Sequence, residues 1–168
     1  MKTSEAQKHN ISPIWDANSE VLILGSFPSV KSRKDEFFYA HPQNRFWRVM
    51  AYLFDDELPQ SVEDKRRLLL SHGVALWDVI ASCQIKGSSD SSIQKVEPND
   101  IMPIIKGSRI SRIYVNGLTA GKLYDKYIYP LSNIKAVRLP STSPANATIT
   151  FERLCEAWKI ITEKEGRQ

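Results

Sequence analysis

Two asparagines stand where this chain is best placed to do chemistry. Asn44 lies in the string H-P-Q-N-R-F-W, just before a helical pattern, and Asn116 ends a buried apolar run in Y-V-N-G. A carboxamide carries a donor and an acceptor on one rigid plane, so it can hold a water molecule or read a ring edge without titrating. Asn44 also suits a helix N-cap, and Asn116-Gly117 is typical of a turn. The helical pattern after Gly117 favours a site residue at position 116.

Groups suited to binding a flat ring lie between the first apolar run and Asn44. The segment that follows V-L-I-L can present backbone N–H groups at a sheet edge, and it comprises Gly25, Ser26, Phe27, Pro28 and Ser29. We expect the amides of Phe27 and Ser29 to face a ring carbonyl oxygen. The aromatic group of Phe37, Phe38 and Tyr39 can stack on the ring, and Phe27 is an alternative platform.

His41 follows the aromatic group F-F-Y and could act as a general acid, because imidazole titrates near neutral pH. Its place before Pro42 and a helix favours a hydrogen bond that braces the loop. None of the three histidines stands at a metal-ligand spacing, and Cys83 and Cys155 lie far apart. The sequence therefore predicts no metal site and no cofactor.

The charge balance favours a polyanionic partner. The formal net charge is +4 and the sequence pI is about 9.1. Lys31, Arg33 and Lys34 fall in a predicted loop after the first strand, and Arg45 and Arg48 share one face of the next helix. For each of these residues taken singly, an ordinary solvated surface is an equal alternative.

Buried apolar runs alternate with helical patterns along the chain. The spacing predicts strands at residues 21–24, 74–80, 110–115 and 134–139, and helices at 46–54, 61–70, 118–129 and about 148–164, with a short one after residue 100. Ser61 is the expected N-cap of the helix at 61–70, and Gly73 follows the end of that helix. Pro130 is expected to end the helix at 118–129. Short crossovers between like-directed strands predict a three-layer α/β/α fold around a four-stranded parallel sheet.

The length fits one packed domain over residues 1–168, of which residues 1–18 are predicted to be a short polar leader. The N-terminal segment has no apolar core of a signal peptide, and no later stretch approaches the length of a membrane span. We therefore expect a cytoplasmic protein, a monomer, that does not bind membranes.

Taken together, these strings resemble the uracil-DNA glycosylase superfamily over nearly the whole chain. The string from His41 to Trp47 is similar to the mismatch-specific branch. G-S-F-P-S and the block L-P-S-T-S-P-A-N, from Leu139 to Asn146, resemble the hypoxanthine-DNA glycosylase branch. That branch lacks the motif-1 asparagine of its relatives, as this chain does. W-D-V-I-A-S-C and Y-V-N-G extend the resemblance.

The resemblance implies a uracil-DNA glycosylase-like fold and an enzyme that flips a deaminated base out of DNA. Such an enzyme hydrolyses the N-glycosidic bond and leaves an abasic site, with hypoxanthine the first expected base and uracil the second. No cofactor is implied, since the iron–sulfur branches need four cysteines. Asn44 would lie at the bottom of the pocket, Tyr39 would stack on the base, and Asn44 and Asn116 would share the catalytic work.

The loop after the last strand is implied to hold the DNA. Its hydroxyls would grip phosphates, and its small apolar residues would fill the gap left by the flipped base. The residues concerned are Ser141, Thr142, Ser143, Pro144, Ala145 and Asn146. Ser88, Ser89 and Asp90 form a lesser candidate contact, for which a solvated loop is the favoured interpretation.

Two other classes of function are alternatives to a DNA glycosylase. A non-catalytic module for damaged or single-stranded DNA would keep the cleft and show affinity without base release. An acyl hydrolase based on Ser26 is disfavoured, because the chain lacks the G-x-S-x-G turn and no histidine follows Ser26 in a late strand-end loop.

Overall fold

Strands and helices alternate along the chain in the computed structural model, which describes residues 6–84 and 93–163. In chain order the elements are β1 (Ala6–Lys8), β2 (Val21–Gly25), α1 (Val30–Asp35), α2 (Phe46–Leu53), α3 (Val62–Ser71), β3 (Val74–Asp78), β4 (Ile80–Gln84), β5 (Gln94–Pro98), α4 (Met102–Lys106), β6 (Arg112–Asn116), α5 (Leu118–Tyr127), α6 (Tyr129–Ser132), β7 (Ala136–Leu139) and α7 (Phe151–Trp158), followed by a 3-10 turn, Lys159–Thr162.

The central sheet contains four parallel strands in the order β3-β2-β6-β7. Every residue of β2 is buried, which explains its continuous aliphatic sequence. Val21 and Ile23 pack into the core on one face, and Leu22 and Leu24 pack into the core on the other. The predicted four-stranded parallel sheet is confirmed.

Helices cover both faces of this sheet. On the face of Ile23, helices α2, α3 and α7 contribute Phe46, Leu69 and Trp158. On the face of Leu24, helices α4 and α5 contribute Ile104 and Tyr124. Burial of both faces confirms the three-layer arrangement.

A second, antiparallel sheet was missed by the sequence analysis. The predicted strand at residues 74–80 is two strands, because β3 ends at Asp78 and the chain turns before β4 begins at Ile80. The N–H groups of Val79 and Ile80 donate to the carbonyl oxygens of Gly25 and Ser26, which fixes this turn. The apolar run continues through the bend, so the pattern alone cannot locate it. Strand β4 lies between β1 and β5.

The prediction of a polar leader was wrong for its described part. Strand β1 pairs with β4, and Ile14 forms a bridge to Leu76 on the edge of the central sheet. Ile11 and Ile14 are buried. Residues 6–14 therefore belong to the fold, and they reach the site described below.

Local signals at helix ends were informative. Ser61 caps α3 by accepting the N–H of Asp64, and Gly73 adopts a φ of +72° after the helix end, as predicted. The segment of Lys31, predicted to be a loop, is the short helix α1. Pro130 does not end α5 directly, since α5 stops at Tyr127 and Pro130 lies in the first turn of α6.

Helices α3 and α5, the longest of the described helices, have 10 residues each. A membrane span needs about 20 apolar residues. Within the described residues, no helix is both long and apolar enough to cross a membrane. The predicted loop at residues 87–92, with Ser88, Ser89 and Asp90, lies outside the described residues, as does the expected helix end at Lys164.

Candidate active site

The carboxyl ends of the central strands open into a cleft of about 230 Å³. Gly25 and Asp78 lie opposite each other at the ends of β2 and β3, and Asn116 ends β6 on the other side of β2. This is the edge at which open α/β sheets bind their ligands. The structure brings most of the sequence-predicted site residues to this cleft: Gly25, Ser26, Phe27, Pro28, Ser29, Tyr39, His41, Asn44, Asn116, Ser141, Thr142, Ser143 and Pro144.

The side chain of Asn116 is almost fully engaged within the protein. Its Nδ2 donates to the hydroxyl of Tyr39 and to Oγ1 of Thr142, both at 3.0 Å. Its Oδ1 accepts the backbone N–H of Thr142 at 3.0 Å. Because a backbone N–H can only donate, this bond fixes which end of the amide is oxygen. Asn116 therefore joins the Tyr39 loop to the loop after β7, and both Nδ2 hydrogens are already used.

Tyr39 lines the cleft in a constrained position. Its ring stacks on Phe46 with a centroid distance of 4.3 Å, so one ring face is covered. Its backbone φ of 51° is left-handed, a conformation that non-glycine residues adopt only where the surroundings hold them. Burial raises the pKa of the Tyr39 hydroxyl well above its ordinary value, the charge of Asp78 raises it further, and the bond from Asn116 lowers it in part. Tyr39 therefore stays neutral at physiological pH.

The two ends of the Asn44 side chain differ in their surroundings, and Arg45, not Asn44, is the N-cap residue of α2. Oδ1 of Asn44 accepts the N–H of Phe46 at 2.9 Å, which satisfies a donor in the first turn of α2. Its Nδ2 makes no hydrogen bond within the described part of the chain, and the residue lines the cleft. One end of the amide is therefore structural, and the donor end is available to a ligand.

His41 lies at the exposed rim of the cleft. Its Nδ1 accepts the N–H of Gln43 at 3.1 Å, and its backbone carbonyl accepts the N–H of Asn44 at 3.0 Å. Both bonds brace the turn that delivers Asn44 to the cleft. This geometry agrees with the bracing role that the sequence favoured over general-acid catalysis.

The loop after β7, residues 140–149, is held by Arg45. The guanidinium of Arg45 donates to the carbonyl oxygens of Ile149 at 2.7 Å and Asn146 at 3.0 Å. The backbone N–H of Arg45 donates to the carbonyl of Thr142 at 3.1 Å. Arg45 thus positions this loop, whereas the sequence analysis placed it in a surface patch for polyanions.

Residues of this loop separate into buried and exposed groups. Thr142 is 0% exposed and its hydroxyl is bonded to Asn116, so the predicted phosphate contact of Thr142 is wrong. Asn146 donates from Nδ2 to the carbonyl of Ser141 and supports the loop internally. Ser141, Ser143 and Pro144 are partly exposed at the cleft, while Ala145 is exposed but does not line it.

The basic segment lies beside the cleft, not in it. Lys31 pairs with Asp35 at 3.1 Å, and the Arg33 guanidinium lies 5.4 Å from the centre of the Phe27 ring. Burial lowers the pKa of Arg33 from its ordinary value. Lys34 is exposed. None of these three basic residues is among the described residues that line the cleft.

Phe38 of the predicted aromatic group also lines the cleft, and so do Ser32 and Asp78, which the sequence did not single out. Ser32 is buried, and its Oγ accepts the N–H of Ala40, which ties α1 to the Tyr39 loop. Asp78 is buried, and its Oδ2 is hydrogen-bonded to Nε2 of His9 at 2.7 Å. A charged residue inside the apolar run V-A-L-W-D-V-I was a signal for Asp78, because buried charges need partners. No sequence pattern pointed to His9.

Metal binding finds no support in the described residues, since no group of three or more His, Cys, Asp or Glu side chains is placed to hold an ion. Cys83 and Cys155 are both buried, and burial raises the pKa of each thiol. These two cysteines are therefore structural core residues.

The fold and the cleft define an α/β protein with a cleft at the carboxyl edge of a parallel sheet, the place where such folds bind their ligands. A sequence model of the uracil DNA glycosylase superfamily matches residues 13–162. The chain belongs to the uracil DNA glycosylase superfamily.

Individual relatives agree with this assignment. The chain is 32% identical over 156 residues to a hypoxanthine DNA glycosylase of Methanosarcina acetivorans, covering 92% of this chain and 97% of that protein. It is 32% identical over 120 residues to a hypoxanthine DNA glycosylase of Methanosarcina barkeri, covering 69% and 75% of the two chains. A solution NMR structure of a candidate uracil DNA glycosylase from Methanosarcina acetivorans has a TM-score of 0.80 and 30% identity, covering 94% of this chain and 97% of that one.

Proposed function

We propose that the protein is a DNA glycosylase that removes hypoxanthine, and secondarily uracil, by hydrolysing the N-glycosidic bond of a flipped nucleotide. The observation that carries this proposal is the open Nδ2 donor of Asn44 in a cleft that also contains Tyr39. The family assignment and the names of the relatives support the choice of reaction.

Asn44 and Asn116 have different roles in this proposal. As the bond breaks, the sugar gains positive character and the base departs with negative charge, so placed dipoles provide most of the catalysis. Asn44 holds the attacking water with the part of its amide that α2 does not use. Asn116 positions Tyr39 and Thr142, and the backbone amides of Phe27 and Ser29 face the base carbonyl.

The product is an intact strand with an abasic site. Cleavage of the strand by a glycosylase requires an amine that forms a Schiff base with the sugar. The described residues that line the cleft include no lysine. Hydrolysis by water therefore fits this cleft better than covalent catalysis. We further propose that the enzyme acts as a monomer on DNA in the cytoplasm.

Single-turnover assays on labelled duplexes test this proposal. Duplexes carrying hypoxanthine, uracil or no lesion are incubated with excess protein and then treated with alkali, which cleaves abasic sites. We expect rapid cleavage for hypoxanthine, slower cleavage for uracil and none for the undamaged duplex. Tight binding to the lesions without any cleavage would favour the non-catalytic module instead.

Charge neutralisation beside the cleft gives a prediction about DNA docking. If Lys31, Arg33 and Lys34 touch phosphates, each change to Ala lowers the salt slope of DNA binding by about one unit, because each contact releases about one counterion. The preference among lesions stays the same, since phosphate contacts carry no base information. Affinity is measured across a salt series for damaged and undamaged duplexes.

Lys126 provides the matched control, because α5 leaves the cleft edge at Leu118 and carries Lys126 toward the opposite edge. Lys126→Ala should leave the salt slope unchanged. An unchanged slope in the triple variant as well would mean that the basic segment is only solvated surface.

Replacing Pro144 and Ala145 with Gly should slow excision from duplex DNA more than from single strands, since only a duplex leaves a gap to fill during flipping. The loop is otherwise anchored by Arg45, so the fold should survive the change. Single-turnover rates on matched duplex and single-stranded substrates measure the difference. Equal losses on both substrates would remove the wedge role from these two residues.

A further inference from the structure

Two buried side chains, His9 and Asp78, are hydrogen-bonded to each other directly behind the cleft. Nε2 of His9 lies 2.7 Å from Oδ2 of Asp78, and the two side chains are only 3% and 5% exposed. Nδ1 of His9 accepts the N–H of Ile11 at 3.2 Å, so Nε2 carries a proton and donates it to the carboxylate. The imidazole is surrounded by the rings of Phe27, Phe38 and Trp77. His9 therefore fixes the orientation of Asp78.

The second oxygen of Asp78 is positioned for a ligand. Oδ1 makes no hydrogen bond within the described residues, and Asp78 lines the cleft. A Cβ at position 25 would overlap Oδ1, so Gly25 is the residue that lets the carboxylate occupy this place. Nδ2 of Asn99 donates to the backbone carbonyl of Asp78 at 2.9 Å. An acceptor is thus held rigidly at the cleft wall, with lone pairs that are open to the cleft.

Burial of a carboxylate is costly unless its acceptor sites are used. His9 satisfies one oxygen, and the other faces the cleft, where a bound ligand that displaces water must supply a donor in its place. Hypoxanthine and uracil both carry a ring N–H beside a carbonyl group. Adenine and cytosine, from which they arise, carry an unprotonated ring nitrogen beside an amino group. Oδ1 of Asp78 can therefore accept the ring N–H of hypoxanthine or uracil. At the same ring nitrogen, adenine and cytosine present an acceptor, which cannot bond to Oδ1.

We propose that Oδ1 of Asp78 accepts the ring N–H of the flipped base and so separates deaminated bases from adenine and cytosine, with His9 as the positioning residue. This inference rests on the proposed function, because it names the group that recognises the substrate. The carboxylate charge opposes departure of an anionic base. Asp78 accordingly acts on recognition, and its removal lowers affinity and selectivity more than the maximal rate.

The experiment measures binding without cleavage. Duplexes carry 2′-fluoro-deoxyinosine or 2′-fluoro-deoxyadenosine at one position, since the electron-withdrawing fluorine blocks formation of the positively charged sugar. We expect the wild type to prefer the inosine duplex and Asp78→Asn to lose about 10- to 100-fold of that preference, the usual scale for a hydrogen bond to a charged group. His9→Gln, which keeps the carboxylate, should lower affinity for the inosine duplex while retaining most of the preference.

Control variants separate recognition from folding. Asp125→Asn removes an exposed carboxylate that pairs with Arg138 and should leave both affinities unchanged. Melting temperatures show whether Asp78→Asn is folded. If Asp78→Asn is not folded, Asp78→Glu replaces it in the binding experiment, because it keeps the charge but moves the acceptor. A duplex with 2′-fluoro-deoxynebularine, whose ring nitrogen is an acceptor like that of adenine, should bind to Asp78→Asn at least as well as to the wild type.

Each outcome decides between the two proposals. Retention of the full inosine preference by folded Asp78→Asn would overturn the role of Asp78, while excision of hypoxanthine by the wild type would leave the proposed function intact. Equal losses on inosine and nebularine duplexes would show that the pair is only structural. Selective binding by the wild type without any base release would contradict the proposed function and leave the recognition role supported.

Discussion

Asn44→Ala should reduce the single-turnover rate of hypoxanthine release by about 10²- to 10³-fold, the usual cost of removing one preorganised polar group from an active site. The variant should remain folded, since loss of the bond to the Phe46 N–H costs only about 1 kcal/mol at a helix N-terminus. The measurement is the rate of alkali-labile site formation with excess enzyme, together with the melting temperature. A rate of hypoxanthine release close to wild type in Asn44→Ala would show that Asn44 has only a structural role.

Asn44→Asp separates the two ends of the amide. A carboxylate accepts the Phe46 N–H as well as an amide does, but it cannot donate. We expect normal stability in this variant and a rate as low as that of Asn44→Ala. A rate close to wild type would show that the bond to the Phe46 N–H alone explains the effect of Asn44 and that its Nδ2 has no part in the reaction.

Asn116→Ala should lower both activity and stability. The change leaves the N–H of Thr142 without a partner and removes one bond each from the hydroxyls of Thr142 and Tyr39. With buried polar groups costing about 1–3 kcal/mol each, we expect the free energy of unfolding to fall by about 2–4 kcal/mol. Base release should fall at least about tenfold, because small displacements of positioning residues are costly. Chemical denaturation and single-turnover kinetics provide the two measurements.

Tyr39→Phe is the matched control for Asn116. It keeps the ring stacked on Phe46 and removes only one of the three bonds of Asn116. Its loss of activity should be the smaller of the two. If Tyr39→Phe is as inactive as Asn116→Ala, the hydroxyl of Tyr39 acts on the substrate directly, and Asn116 serves mainly to orient it.

The sequence predicted those parts of the fold that local patterns control. The continuous aliphatic run of β2 identified a buried parallel strand, and Ser61 with Gly73 located the ends of α3. The bend between β3 and β4 could not be predicted, because it depends on hydrogen bonds from Val79 and Ile80 to the end of β2, which is distant in sequence. Strand β1 was missed because its short polar sequence becomes a strand only by pairing with β4.

In the site, too, local sequence patterns predicted some features, and contacts between distant residues determined the others. Asn44 and Asn116 were recognised because amides at strand and helix ends carry chemical information, and both lie in the cleft. What each amide does depends on partners that only the fold brings together. Thr142 lies 26 positions from Asn116, and His9 lies 69 positions from Asp78. Single-residue signals identified candidates, whereas tertiary contacts determined which of them are open to a ligand.

Simultaneous detection of both products tests the central proposal most directly. Wild-type protein in excess is incubated with a duplex that contains one deoxyinosine, and free hypoxanthine and alkali-labile sites are both quantified. The account predicts equal amounts of the two products and intact strands before alkali treatment. Binding with neither product, or strand breaks without alkali, would contradict it.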